Sequence, residues 1–133
     1  MPRILVADDD LEQLALRKTL FEAFGHEVAL ADCPAETLRQ IERSGADLII
    51  MDLRFPNASG KPDSREGLAL IRRIRESGCQ SPVAVLSGWP EDLYGQPEEA
   101  LVSRVMVKPV GMAVLLELIE ELTSASAPSR NLP

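Results

Sequence analysis

The chain has 133 residues, 45% of them hydrophobic, which is enough to bury the core of one compact domain. A formal charge of −7 with no run of Lys or Arg sets direct nucleic-acid binding aside, because that binding rests on neutralising phosphates. Cys33 and Cys79 stand far apart, outside any metal or redox spacing, and no apolar stretch reaches the roughly 18 residues of a bilayer span, so a cytoplasmic protein with no membrane partner is expected.

Arg3 to Ala7 is a short apolar run rich in branched residues that stops at three aspartates, which reads as a buried strand ending in charge. Asp10 can cap a helix that runs to Phe24, with Gly25 as its stop. Glu27 to Ala31 reads as a second strand, and Pro34 opens a helix to about Ser44, closed by Gly45. Asp47 to Met51 is a third apolar run, ending at Asp52. Glu66 to Ser77 is an amphipathic helix stopped by Gly78, and Pro82 to Leu86 is a fourth strand ending at Ser87. Arg104 to Val107 is a fifth, ending at Lys108. The last helix is expected from Met112 to about Leu122, giving one domain over 1–123 and a flexible tail or linker over 124–133.

Strands alternating with helices predict an α/β fold, a doubly wound parallel sheet with right-handed crossovers. In such sheets the ligand site lies at the carboxyl ends of the strands. Those ends carry Asp8 and Asp9, Asp52, Ser87 and Lys108. Carboxylates gathered at adjacent strand ends repel one another unless a hard cation such as Mg²⁺ takes their charge, and that cation can also hold phosphoryl oxygens. Asp52 can then act as a nucleophile that forms an acyl phosphate, with Ser87 donating to one phosphoryl oxygen and Lys108 pairing with another. Singly, each residue has a plainer role: Asp9 and Asp10 as turn or cap residues, Ser87 as loop chemistry, Lys108 as a solvated side chain and His26 as a structural turn residue. Their occurrence together at the strand ends is what points to the site.

The runs Ile4-Leu5-Val6-Ala7-Asp8-Asp9-Asp10, Leu48-Ile49-Ile50-Met51-Asp52-Leu53-Arg54-Phe55-Pro56, Val85-Leu86-Ser87 and Val107-Lys108-Pro109 resemble the response-regulator receiver family over about residues 3 to 122. The resemblance implies a flavodoxin-like (βα)₅ fold with strand order 2-1-3-4-5. It also implies Mg²⁺ held by Asp9, Asp52 and the backbone carbonyl of Arg54, with Asp8 acting mostly through water. The implied function is two-component signalling. Asp52 would be phosphorylated by a phosphohistidine of a sensor histidine kinase or histidine phosphotransfer protein, in a protein that catalyses only its own phosphorylation and dephosphorylation. A downstream effector, and a dimer formed on phosphorylation, are the further partners it implies.

Three departures from the family pattern carry expectations. Residues 57–66 form an insertion of about seven residues beside the site, of the polar kind that surface loops accept. Gly88, Trp89, Pro90, Gly95 and Pro97 make the fourth helix short, shifted or irregular. Val105 stands where the family carries its aromatic switch residue, so the response to phosphorylation is expected in the Gly88 to Pro97 segment and the inserted loop instead. Two alternatives are a degenerate receiver that serves only as a binding module and a haloacid-dehalogenase-like aspartyl phosphatase. The second is suggested by Asp8-x-Asp10 and disfavoured by Glu12 and by the lack of an acidic pair after Lys108.

Overall fold

The structure, a computed structural model, describes residues 2–131 and the side chains of residues 2–124. Five parallel strands, β1 (Arg3–Ala7), β2 (Glu27–Ala31), β3 (Leu48–Asp52), β6 (Val83–Ser87) and β7 (Arg104–Val107), form one sheet in the order β2-β1-β3-β6-β7. A second, two-stranded antiparallel sheet pairs β4 (Phe55–Pro56) with β5 (Pro62–Asp63). Counting the five parallel strands alone, this is the expected 2-1-3-4-5 order.

Helices α1 (Leu11–Ala23), α2 (Pro34–Ser44), α3 (Ser64–Glu76) and α4 (Met112–Asn131) cover both faces. Alternation along the strands sorts the core into two layers. Ile4, Val6, Leu48, Ile50, Ala84 and Leu86 pack with Leu14 and Phe21 of α1 and with Leu115, Leu118 and Ile119 of α4. Leu5, Ala7, Ile49, Met51, Val83 and Val85 pack on the other face with Leu70, Ile71 and Ile74 of α3 and with Leu38 and Ile41 of α2.

Local chemistry accounts for the boundaries. Asp10 caps α1, its carboxylate accepting from the Glu12 and Gln13 N–H groups at 3.1 and 3.2 Å. α3 begins at Ser64, two residues before the expected start, because Asp63 caps it by accepting from Arg65 N–H at 2.9 Å. The inserted stretch is an ordered hairpin rather than an open loop. The Asn57 carboxamide oxygen accepts from Ser59 and Lys61 N–H, and Gly60 takes the positive φ of +79° that the turn needs. Between β6 and β7 there is no α-helix. Two short 3₁₀ turns, Pro90–Asp92 and Pro97–Leu101, replace the fourth helix, as the prolines and glycines predict. α4 continues past the expected end near Leu122 to Asn131, and the side chains of the expected tail from residue 125 onward lie outside the described residues.

Candidate functional site

Register brings the predicted residues together. Ala7 lies opposite Met51, so Asp8 follows alongside Asp52. Asp52 lies opposite Leu86, and Ser87 opposite Val107, which sets Ser87 and Lys108 at the adjoining ends. Asp8, Asp52 and Lys108 also continue the every-second-residue series Ile4-Val6, Leu48-Ile50 and Met106, so they leave the sheet on the α1/α4 face. One carboxylate oxygen from each of Asp8, Asp9 and Asp52 lies within 4.8 Å of the others. Lys108 Nζ stands 3.3 Å from Asp8 Oδ2 and 3.5 Å from Asp52 Oδ2, joining the first and last strands of the chain to the acceptor candidate.

The environments differ. Asp8 is almost fully buried and Asp9 is exposed. Burial raises the Asp52 carboxyl above its ordinary value of 3.8, with the Asp8 charge adding to it and Lys108 and the Leu53 N–H opposing. Burial followed by the charge of Asp8 raises Asp9 in the same direction. Asp52 Oδ1 accepts from Leu53 N–H at 2.7 Å, which fixes the carboxylate. The Ser87 hydroxyl accepts from Trp89 N–H at 3.0 Å and keeps its own proton to donate, since no acceptor for it lies among the described residues. Three hard oxygen donors that repel one another, beside a single shared lysine, suit a small divalent cation.

Two features of the site were not predicted. The Arg54 side chain crosses to the β6–β7 connection, with Nε 2.7 Å from Asp92 Oδ2 and the guanidinium 3.9 Å over the Trp89 ring. Arg17 of α1 reaches Asp8 Oδ2 at 3.1 Å. The sequence signal for Arg17 is a cation on the apolar stripe Leu14-Arg17-Phe21; Arg54 gave no signal beyond its place after Asp52. Asp10, the second acid of the phosphatase alternative, spends its carboxylate on capping α1. A cleft of about 880 Å³ between the ends of α2 and α3, lined in part by Leu38, Arg73 and Cys79, opens at the opposite end of the sheet and takes no part in this site.

The family model for the response regulator receiver domain matches residues 4–120. The chain belongs to this family. The receiver is 30% identical over 128 residues to the transcriptional regulatory protein GlrR of Escherichia coli, covering 95% of this chain and 27% of that protein. It is 31% identical over 122 residues to the transcriptional regulatory protein PrrA of Mycobacterium tuberculosis, covering 91% and 49%. It thus spans from about a quarter to about a half of the length of these curated relatives. Among solved structures, the response regulator TrrA of Thermotoga maritima, in complex with Mg(2+)-BeF, aligns with a TM-score of 0.77 at 24% identity, covering 92% of this chain and 99% of that one. A receiver domain protein of Clostridium thermocellum aligns at 0.81 and 24% identity, covering 96% and 98%. These likenesses show the receiver fold. Among the described residues no helix is long and apolar enough to cross a membrane.

Proposed function

We propose that this receiver accepts a phosphoryl group on Asp52 from a phosphohistidine of a sensor histidine kinase or histidine phosphotransfer protein. The observation that carries the reading is Lys108 Nζ set between Asp8 and Asp52, beside three carboxylates whose oxygens converge. In the transfer a P–O bond forms to an Asp52 carboxylate oxygen as the donor P–N bond breaks, and the imidazole leaves. Lys108 and the Ser87 hydroxyl would neutralise and orient phosphoryl oxygens, while the Leu53 N–H keeps the acceptor carboxylate in line.

Mg²⁺ fits this donor set; Asp9, Asp52 and the Arg54 carbonyl would hold it, with Asp8 acting through water. When bound it supplies charge neutralisation to the carboxylates and to the transferring group. The receiver would act in the cytoplasm, catalyse only its own phosphorylation and dephosphorylation, and pass the signal to an effector, with dimer formation as one route. The complex of TrrA with Mg(2+)-BeF supports the same site chemistry for a protein of the same fold.

A titration tests the site. Mg²⁺ followed by beryllofluoride should saturate at one equivalent each, read by the fluorescence of the single Trp89. Asp9→Ala should weaken Mg²⁺ binding by about tenfold or more, and more than Asp8→Ala does. Equal Mg²⁺ affinity in wild type and Asp9→Ala would refute the ligand assignment.

A further inference from the structure

The buried face of α1 consists of Leu14, Arg17 and Phe21, so a guanidinium lies among apolar neighbours and is only 6% exposed. A buried cation is costly unless it is paired and hydrogen-bonded. Its partner is Asp8, itself 1% exposed, with Nη1 3.1 Å from Oδ2. The side chains of a helix lean toward its N-terminus, and Arg17 lies on the face that packs under the ends of β1 and β3.

The hydrogen bonds of Asp8 are divided between its oxygens. Oδ1 accepts from Asp10 N–H at 2.9 Å, closing the turn into α1. Oδ2 faces two cations, Arg17 at 3.1 Å and Lys108 at 3.3 Å. Among the described residues Asp52 forms an ion pair with Lys108 alone, and Asp9 forms none. The cluster therefore has one carboxylate with its charge offset twice and two that are left short of positive charge.

We propose that Arg17 is a positioning residue of the receiver site: it commits Asp8 Oδ2 to the cationic side of the cluster. A divalent cation is thereby left to Asp9 and Asp52, and the hold of Asp8 on Lys108 is weakened in favour of Asp52. The part concerning Lys108 rests on the reading of Asp52 as the phosphoryl acceptor; the part concerning the cation does not.

Removing the Arg17 charge has two consequences of opposite sign. Cation binding tightens, because a repelling charge is gone and Asp8 Oδ2 can turn toward the cation. Phosphorylation at saturating cation slows, because an Asp8 released from Arg17 competes with Asp52 for both the cation and Lys108. An arginine that only filled space and held the fold would not produce that split.

The test uses Arg17→Gln, which keeps a donor and removes the charge, and Arg17→Lys, which keeps the charge. Mg²⁺ affinity is read by Trp89 fluorescence, and phosphorylation by a small phosphodonor is followed at saturating Mg²⁺. Arg17→Gln should bind Mg²⁺ tighter by on the order of tenfold and be phosphorylated slower by a similar factor, while Arg17→Lys stays within about twofold of wild type on both. In an Asp8→Asn background, Arg17→Gln should tighten Mg²⁺ binding much less, since the release of Asp8 is gone and only the loss of a repelling charge remains. Where Arg17→Gln folds only with metal, its affinity is read from the Mg²⁺ concentration that drives folding.

Unchanged or weaker Mg²⁺ binding by Arg17→Gln overturns the proposal. So does failure to fold at saturating Mg²⁺, or the same tightening in the Asp8→Asn background. Wild-type protein that binds Mg²⁺ yet takes no phosphoryl group refutes the Asp52 reading and leaves the cation result standing.

Discussion

Gly67→Ala is expected to destabilise the receiver although it replaces a helical glycine by the best helix former. In an open helix the change would stabilise by about 1 kcal/mol. Here a Cβ would stand 2.1 Å from the Leu53 carbonyl oxygen and 2.7 Å from the Leu53 carbonyl carbon and Cα, all of them backbone atoms. Ordinary contact begins at 3.4 Å, so α3 and the segment after β3 must part by more than an ångström. Neither side yields easily. Retreat of α3 loosens Leu70, Ile71 and Ile74 from the sheet, and all three are buried. Retreat of Leu53 pulls on the N–H that holds Asp52 Oδ1 at 2.7 Å. Overpacking of this kind costs about 1–3 kcal/mol and sometimes more, and a clash between two backbones belongs at the upper end. The net loss expected is about 2 kcal/mol after the propensity gain, or about 8 °C in Tm for a chain of this size. Urea unfolding of wild type, Gly67→Ala and Gly111→Ala measures it. Gly111 has open space where its Cβ would go, so that control should fall within about 0.5 kcal/mol of wild type. Gly67→Ala at or above wild-type stability would mean that the Leu53 backbone yields to the new Cβ without cost.

Three further outcomes are expected of the site. Asp9 and Asp52 have carboxyls raised above the ordinary 3.8, so between that value and their folded values the native state holds more protons than the unfolded one. Their contribution to metal-free stability is therefore lost as pH rises through that window, and the Tm gain from saturating Mg²⁺, which binds the ionised form, should grow over the same window; a gain that shrinks with rising pH would contradict this. With Val105 in place of an aromatic switch, amide exchange with and without Mg²⁺ and beryllofluoride should change first in 88–97 and 57–66. Arg54→Ala should remove the Trp89 fluorescence change that accompanies it, because Arg54 ties Asp52's neighbourhood to that ring; change confined to Met112 to Leu122 would sink the proposal.

The fold was legible because its signals are local. The strand Arg3–Ala7 and the helix Pro34–Ser44 each stand between residues that cannot continue them, and their bounds are as read from the sequence. The convergence of Asp8, Asp52 and Lys108 was legible too, since a parallel sheet brings strand ends to one edge. The start of α3 was missed although Asp63, three before Glu66, is a capping signature. The order within the inserted hairpin depends on one side chain, Asn57, folding back on the turn, which composition does not reveal. The partners of Arg17 and Arg54 depend on contacts between distant segments, and their identity follows from packing that no local pattern encodes.

Intact-mass spectrometry after incubation with a small phosphodonor reads whether Asp52 is the phosphoryl acceptor. Wild type with Mg²⁺ should gain one phosphoryl group, labile to hydroxylamine as an acyl phosphate is, and lose the gain when Mg²⁺ is chelated beforehand. Asp52→Asn should gain none; an undiminished gain in that variant would contradict the account.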